Sequence, residues 1–152
     1  RFAENIVTTL FNTVNDKKIA FLGWAFKKDT NDTRESAAIY VANDLMEEEA
    51  QIHVYDPKVT EMQMLSDLDY LATREPEANR KHLTVHQDPY EALAGAHGIA
   101  VLTEWDAFVT YDWQRIYDNM QKPAFVFDGR NILNRATLEQ IGFEVYTIGR
   151  GK

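Results

Sequence analysis

Apolar and polar residues follow two patterns along the chain, short apolar runs and helical repeats, and the two patterns take turns. The apolar run 19–22 predicts a first strand, and the alternating stretch 51–55 predicts a second. Between them a helix is predicted over 34–48, with Asp32 or Thr33 as its N-cap. Further strands are predicted over 83–86, 98–103, 123–128 and 143–148, and further helices over 2–14, 112–120 and 136–141, with one more opening after Asp88.

This order of elements predicts an α/β fold. A strand, a helix and a second strand form a right-handed crossover unit, which makes the two strands parallel. Repeated along the chain, the unit predicts a Rossmann-like, doubly wound and mainly parallel sheet of about six strands with helices on both faces. Residues 58–82 fit least well: the apolar spacing from Met62 to Leu71 predicts one helix, and the polar stretch from Glu75 predicts an exposed loop.

The helix predicted over 2–14 has an apolar face that needs a covering surface. Two interpretations are open: it packs on the core of this domain, or it is the end of a long connecting helix from a preceding domain. The chain opens on Arg1 and not on methionine, which suggests a fragment of a longer protein.

Composition excludes several kinds of protein. The chain has 152 residues, a usual size for one globular domain, and its net charge of −8 argues against a general nucleic-acid surface. No apolar run approaches the roughly 20 residues of a membrane span. The chain has no cysteine, which excludes disulfides, thiolate metal sites and a thiol nucleophile within it, and agrees with a reducing, cytoplasmic location.

The residues that follow the predicted strands supply the candidate chemistry, because the carboxyl ends of parallel strands meet at one edge of a sheet. They are Phe26, Lys27 and Lys28 after the first strand, Asp56 after the second, Thr103, Glu104 and Trp105 after the fourth, and Asp128, Gly129 and Arg130 after the fifth. Cations, an indole and the amides of a helix start suit an anionic ligand with a flat ring, such as a nucleotide diphosphate.

Each of these residues also has a less specific interpretation. Lysines in a loop are more often solvated than ligand-binding, and Arg130 could pair with Asp128. Tryptophans such as Trp24 and Trp105 more often belong to the core. Arg34 is the stronger signal, because a cation in the first turn of the predicted helix opposes the helix dipole and is better suited to an anion than to the helix.

Several well-known site motifs are absent from the sequence. One glycine, Gly23, follows the first strand where the dinucleotide fingerprint needs three, although Asp56 stands near the place of a ribose-binding carboxylate. The four histidines have no matching set of carboxylates to complete a metal-ligand group, so no metal site is predicted. No serine lies in a nucleophile-elbow context.

Short segments spread over the whole chain are similar to one protein family. The segment 23–36 reads G-W-A-F-K-K-D-T-N-D-T-R-E-S, and it is followed by Y-D-P-K at 55–58, D-P-Y-E-A at 88–92, T-E-W-D at 103–106, F-D-G-R at 127–130, I-G-F at 141–143 and T-I-G at 147–149. In this order they resemble the UDP-glucose 6-dehydrogenase family, and more narrowly the C-terminal, UDP-sugar-binding domain of its animal-type members. Only 58–82 is unmatched.

The resemblance implies an activity and a division of residue roles. Family members oxidise UDP-glucose to UDP-glucuronate in two NAD-dependent steps, through a thioester on cysteine. Residues like Phe26, Lys27 and Arg130 contact the UDP-sugar, and the residue like Arg34 completes the NAD site from across a cleft. The nucleophile, the catalytic lysines and the glycine-rich NAD loop belong to an N-terminal domain. This chain is therefore expected to contain no catalytic residue and to be inactive alone.

The resemblance also implies an assembly. Residues 1–15 are similar to the end of the family's long central helix, through which members dimerise, and residues 16–152 to the UDP-sugar-binding domain; animal-type members form hexamers. The chain departs from the family pattern at Asn131, where a second basic residue is common, and at Trp24, where a smaller aromatic residue is common. Both departures affect the fine shape of the pocket.

Two alternative hypotheses remain beside this one. The domain could serve another nucleotide sugar, such as an N-acetylated UDP-amino sugar or GDP-mannose. It could instead be a non-catalytic module that assembles through residues 2–14.

Overall fold

The computed structural model describes residues 2–147 and places six strands of that range in one sheet. The strands are β1 Lys18–Leu22, β2 Gln51–Tyr55, β3 Leu83–Val85, β4 Gly98–Val101, β5 Phe125–Asp128 and β6 Glu144–Thr147. The helices are α1 Phe2–Thr9, α2 Ala37–Glu47, α3 Glu61–Leu71, α4 Pro76–His82, α5 Pro89–Leu93, α6 Trp113–Asp118 and α7 Arg135–Ile141, with a 3-10 turn at Asp106–Thr110. Neighbouring strands are parallel in the order β3-β2-β1-β4-β5-β6. The predicted Rossmann-like α/β fold is confirmed.

The core lies around the central strands β1, β4 and β5. Their residues are buried almost without exception, because helices cover both faces of a doubly wound sheet. Strand β2 alternates between buried and half-buried positions. The strand order reverses between β1 and β4, and ligands of such sheets bind beyond the carboxyl ends of the strands at this point.

Helix α1 is shorter than the predicted helix 2–14 and packs on this domain. It ends at Thr9, and Phe11 and Asn12 take left-handed φ angles of 65° and 64°. Ile6 and Leu10 are buried in the same core as the sheet, so the apolar face of the helix is covered within this chain.

Helix α1 and the residue after it run along the strands, from their carboxyl ends to their amino ends. The Phe2 ring borders Gly129 at the carboxyl edge, where a Cβ added to this glycine would lie 3.5 Å from the ring, and the Leu10 side chain borders Gly98 at the start of β4. The carboxyl end of β5 therefore has the first turn of α1 as a neighbour.

Helix α2 begins three residues later than predicted, which changes the position of Arg34. Its N-cap is Ser36, whose hydroxyl accepts a hydrogen bond from the Ala38 amide at 3.2 Å and donates one to the Trp24 carbonyl at 2.6 Å. The predicted N-caps Asp32 and Thr33 are wrong. Arg34 lies in the preceding loop, so the argument that its charge opposes the helix dipole is also wrong.

Residues 58–82 contain two helices where the sequence predicts one helix and a loop. Helix α3 is confirmed, but the polar stretch forms α4, with Pro76 in its first turn. The apolar spacing does not extend into α4 because polar side chains anchor this segment. Asn79 is fully buried. Nη1 of Arg74 donates hydrogen bonds to Oδ1 of Asn79 at 3.0 Å and to Oδ1 of Asn43 at 2.9 Å.

The other elements agree with the predictions to within a few residues at their ends. Strand β4 stops at Val101, which leaves Leu102 and Thr103 in the following loop. The predicted last strand is confirmed over 144–147, and Ile148 lies outside the described residues. Within residues 2–147, no helix has the length and apolar character needed to cross a membrane.

Candidate functional site

The loop after β1 is held in place by the buried carboxylate of Asp56, at the end of β2. Its Oδ2 accepts hydrogen bonds from the backbone amides of Trp24 at 2.7 Å and Ala25 at 2.9 Å, and from Nε1 of Trp105 at 3.3 Å. Its Oδ1 accepts two more, from the amides of Lys58 at 2.8 Å and Val59 at 3.0 Å. Asp56 is therefore fully used in joining three segments, and it is not free to bind a ribose.

Gly23 lets the same loop pass close to the end of β4. Its φ is 102°, and a side chain there would collide with that of Thr103. The Thr103 hydroxyl in turn donates a hydrogen bond of 2.8 Å to the Ala25 carbonyl. The single glycine of this loop thus serves packing between two loops and not the approach of a pyrophosphate.

Both tryptophans of the edge belong to the core. Trp24 is fully buried and donates from Nε1 to Oδ2 of Asp67 at 3.0 Å, and Trp105 is buried beside Asp56. Neither indole presents a free face for a ligand ring, so the core interpretation of both is the correct one.

Phe26 and Lys27 lie on the exposed side of this rigid loop. Phe26 is 45% exposed, an unusual position for a phenylalanine in a loop held this firmly. Lys27 is exposed and forms no hydrogen bond or ion pair with any described residue. Lys28 differs, because its Nζ pairs with Oδ1 of Asp106 at 3.2 Å, and this hydrogen bond with the Asp106 charge raises the pKa of Lys28. Of these two lysines, Lys27 is therefore the one whose charge has no ion-pair partner among the described residues.

The loop after β5 is built on a second buried carboxylate, that of Asp128. Its Oδ1 accepts from the amides of Arg130 at 3.0 Å and Asn131 at 2.8 Å, and its Oδ2 accepts from the amide of Leu133 at 2.9 Å. Asp128 therefore fixes the backbone at Arg130, while the Arg130 side chain has a different partner.

The Arg130 side chain reaches across to the loops of β1 and β4. Nη2 lies 2.9 Å from Oε1 of Glu104, and Nη1 lies 3.4 Å from the Leu102 carbonyl and 3.5 Å from the Phe26 carbonyl. The predicted alternative, a side-chain pair with Asp128, is not found. Phe26 and Arg130, which are 104 positions apart, meet at one place.

Arg34 lies apart from this group. Its Nε and Nη2 donate to the two carboxylate oxygens of Asp32 at 3.1 and 2.9 Å, and this fork lowers the pKa of Asp32 to about 2. The Arg34 side chain is 87% exposed and borders a cleft of about 320 Å³ that also has Tyr40 and Tyr70 on its walls. The four predicted site residues therefore divide into three at the carboxyl edge and one beside it.

The histidines form no metal site in the part of the chain that the structure describes. Nδ1 of His53 lies 2.8 Å from Nε2 of His86, and the rings stack with centroids 5.1 Å apart. Burial, reinforced by the charge of Lys18, lowers the pKa of His53 to about 4. This pair is a neutral contact between β2 and the segment after β3.

The comparison with protein families decides the affiliation of the chain. The model of the UDP-glucose/GDP-mannose dehydrogenase family, UDP binding domain, matches residues 20–135. The chain belongs to this family. The resemblance drawn from the short sequence segments is therefore confirmed.

Relatives of this UDP-binding domain are longer proteins. UDP-glucose 6-dehydrogenase of Drosophila melanogaster is 52% identical over 151 residues, and UDP-glucose 6-dehydrogenase 5 of Oryza sativa subsp. japonica is 53% identical over 160 residues. Each comparison covers 99% of this chain but only 32% or 33% of the relative. Among solved structures, UDP-D-ManNAc dehydrogenase of Pyrococcus horikoshii has a TM-score of 0.71 at 25% identity, over 99% of this chain and 30% of that one. The domain thus spans about a third of the length of such relatives.

Sequence reasoning missed the contacts that build the edge of this UDP-binding domain. It placed Asp56, Thr103 and Asp128 at the strand ends but could not assign their side chains to backbone groups of neighbouring loops. It gave no separate role to Glu104. The available sequence signal is an aspartate at the end of a predicted strand. A carboxylate that is buried at such a position needs several hydrogen-bond donors from the protein.

Proposed function

We propose that this domain binds the UDP part of a UDP-sugar at the carboxyl edge of the sheet, between Phe26–Lys27 and Arg130. The observation that carries the proposal is the meeting of Phe26 and Arg130, with Nη1 of Arg130 3.5 Å from the Phe26 carbonyl, in a domain whose family is described as UDP-binding. The firmly held loops bring the Arg130 side chain to the segment that carries the exposed ring of Phe26 and the exposed Lys27.

Each of the three residues has a chemical task in this proposal. The unpaired charge of Lys27 attracts the diphosphate as a point charge. Arg130 offers a planar set of N–H donors, which suits phosphate oxygens. The exposed ring of Phe26 packs against an apolar surface of the nucleotide or the sugar. The rest of the chain is acidic, with a net charge of −8, so these local cations give the edge its preference for an anion.

The complete protein, in this proposal, is an NAD-dependent dehydrogenase that oxidises UDP-glucose to UDP-glucuronate. The loop after β1 does not fit the pyrophosphate of NAD, because it has one glycine and because Ser36 already caps α2. NAD would therefore be bound mainly by another domain, where it would serve as the hydride acceptor. Arg34 would offer one guanidinium from across the cleft and would have to share it with Asp32.

Residues 1–15 are proposed to contain the end of a connecting helix, which stops at Thr9, and to contribute to oligomer contacts, with residues 16–152 as the UDP-sugar-binding domain. Since Ile6 and Leu10 are buried in this chain, such contacts would use Phe11, which is 70% exposed, and the half-buried Val7. Phe11→Ser should then lower the association measured by analytical ultracentrifugation, and an unchanged sedimentation profile of an associating chain would count against this surface.

Titration of this chain with UDP and UDP-glucose tests the binding proposal. Lys27→Ala and Arg130→Ala should each weaken binding by roughly 10-fold or more, since hydrogen bonds to charged groups contribute about 1.5–3 kcal/mol. Lys81→Ala, which removes the same charge from the exposed end of α4, is the matched control and should leave the affinity unchanged.

Ligand choice provides the second part of the test. UDP-glucose should bind more tightly than GDP-mannose, since the curated relatives named above are UDP-glucose enzymes. Absence of any heat or thermal shift with UDP and UDP-glucose at millimolar concentration would contradict binding by the isolated domain. Tighter binding of GDP-mannose would assign the domain to another nucleotide sugar.

A further inference from the structure

The Arg130 side chain has one charged partner among residues 2–147, Glu104. Nη2 of Arg130 lies 2.9 Å from Oε1 of Glu104. That oxygen is buried, and no donor in the described part of the chain is aligned with it. The contact is therefore held by opposite charge and not by hydrogen-bond geometry.

The remaining contacts of Arg130 leave several of its donors free. Its Nη1 reaches the carbonyls of Leu102 and Phe26 only at the long distances of 3.4 and 3.5 Å. Its Nε has no hydrogen bond to the described residues, and 34% of the side chain is exposed. The guanidinium is thus attached on its buried side and retains N–H groups for a ligand.

We propose that Glu104 is a positioning residue for Arg130, holding the guanidinium from its buried side so that the free N–H groups meet the diphosphate of the ligand. This inference rests on the proposed function, because it assumes that Arg130 binds the diphosphate. A long side chain that is ordered before the ligand arrives loses less conformational entropy on binding, so Glu104 raises the affinity.

Glu104 also has an effect of the opposite sign. Its negative charge lies near the ligand, and repulsion between like charges weakens the binding of an anion. One substitution separates the two effects, because Glu104→Gln keeps the shape of the side chain and removes its charge. Binding of UDP becomes weaker if positioning dominates and tighter if repulsion dominates. The structure favours positioning, because the contacting oxygen is buried and lies 2.9 Å from Nη2 of Arg130.

Asp106 provides a matched control on the same segment. Its carboxylate pairs with Lys28 at 3.2 Å, and its side chain is 85% exposed. Asp106→Asn removes the same charge from the same loop and leaves the contact between Glu104 and Arg130 in place. Any change that both variants share reflects the general charge of the edge.

The experiment is a double-mutant cycle in which the dissociation constant for UDP is measured by titration calorimetry. Glu104→Gln should weaken UDP binding about five- to ten-fold in the otherwise unchanged chain, in line with the loss of one pre-ordered side chain. In the Arg130→Ala background the same substitution should change the affinity less than about two-fold, because the group that it positions is gone. Asp106→Asn should not weaken binding. Glu104→Asp, whose carboxylate is withdrawn by one methylene, should have an intermediate effect.

The outcomes distinguish this inference from the proposed function. Unchanged or tighter binding in Glu104→Gln, or equal weakening with and without Arg130, would overturn the role of Glu104 while UDP binding and its loss in Arg130→Ala still hold. If the unaltered chain binds neither UDP nor UDP-glucose, the proposed function fails, and the role of Glu104 fails with it.

Discussion

The strands β2 and β5 both lead into a buried aspartate, and the comparison between them explains how the edge of the sheet is divided. At the β2 end, Asp56 accepts five hydrogen bonds from three separate segments, so its carboxylate has no capacity left for a ligand. At the β5 end, Asp128 accepts three hydrogen bonds from its own loop, and the neighbouring Arg130 remains partly exposed. The β2 end builds the edge, and the β5 end presents a cation on it.

This difference shows that position at the carboxyl edge does not by itself make a residue functional. Asp56 and Trp105 are at the edge, but they are buried and bound to each other. Lys27 and Arg130 are at the same edge with donors to spare. The useful distinction is whether a polar side chain has used its hydrogen-bonding capacity within the protein.

Removing the two aspartates tests the comparison most severely. Asp56→Ala should lower the free energy of unfolding by about 4 kcal/mol, because it leaves several buried donors without an acceptor. Asp128→Ala should lower it by about 2 kcal/mol, because the amides that it releases are only partly buried and water can reach them. Urea unfolding measures both values. Equal effects would show that the β2 end has no special part in joining the loops.

A pair of glycine substitutions sharpens the role of loop packing at the β2 end. Gly23→Ala should destabilise the chain by about 3 kcal/mol, since the new methyl group meets Thr103 in addition to the cost of the positive φ. Gly95→Ala is the matched control: its φ is 75°, no residue beyond its two chain neighbours lies within 4 Å of the new methyl group, and about 1 kcal/mol is expected. Similar midpoints for the two variants in urea would contradict the packing argument.

Acid should weaken the middle of β2 independently of its carboxyl end. The pKa of His53 is lowered to about 4 in the folded chain, mainly by burial, from an ordinary value of 6.5. The unfolded chain therefore takes up the proton first, so stability is complete above pH 6.5 and decreases as the pH falls towards 4. The effect should be smaller than that of Gly23→Ala, because His53 is only half-buried and water screens its charge.

The variant His53→Gln isolates this titration from that of the carboxylates. Its urea midpoint should fall less between about pH 7 and about pH 5 than the midpoint of the unaltered chain. Parallel loss of stability in both proteins would assign the acid sensitivity to other groups.

The smallest expected effect is at Arg34, the predicted site residue that lies outside the group at the carboxyl edge. Arg34→Ala should leave the urea midpoint unchanged, because its pair with Asp32 is largely exposed to water. UDP affinity should also stay unchanged, in contrast to Arg130→Ala. A loss of UDP affinity as large as that of Arg130→Ala would show that the two arginines act on one ligand group.

The strand-and-helix order could be read from the sequence because the core is built from strong apolar runs, such as 19–22 and 98–101. The start of α2 could not be read from the sequence. Asp32, Thr33 and Ser36 can all cap a helix, and only tertiary contacts determine which of them does. Helix α4 was missed because its buried surface is polar, centred on Asn79 and Arg74. Helix propensity and apolar periodicity predict neither the start of α2 nor the presence of α4.

The candidate site was predictable in its cations but not in their partners. The sequence placed Lys27 and Arg130 after strands that end at one edge, which follows from the geometry of a parallel sheet. It could not show that Lys28 is neutralised by Asp106, that Arg130 faces Glu104, or that Arg34 is paired with Asp32. These pairings depend on distances of a few ångströms between loops, and sequence spacing contains no such information.

The hydrogen bonds that Asp56 accepts from the loop after β1 have a consequence for amide exchange with solvent. The amides of Trp24 and Ala25 are bonded to a buried carboxylate, so they exchange only when the end of β2 opens, although they lie outside any helix or strand. The amide of Lys27, two residues further on, has no such acceptor among the described residues and exchanges freely. The boundary between protected and exchanging backbone therefore falls inside one short loop, at the point where its side chains become exposed.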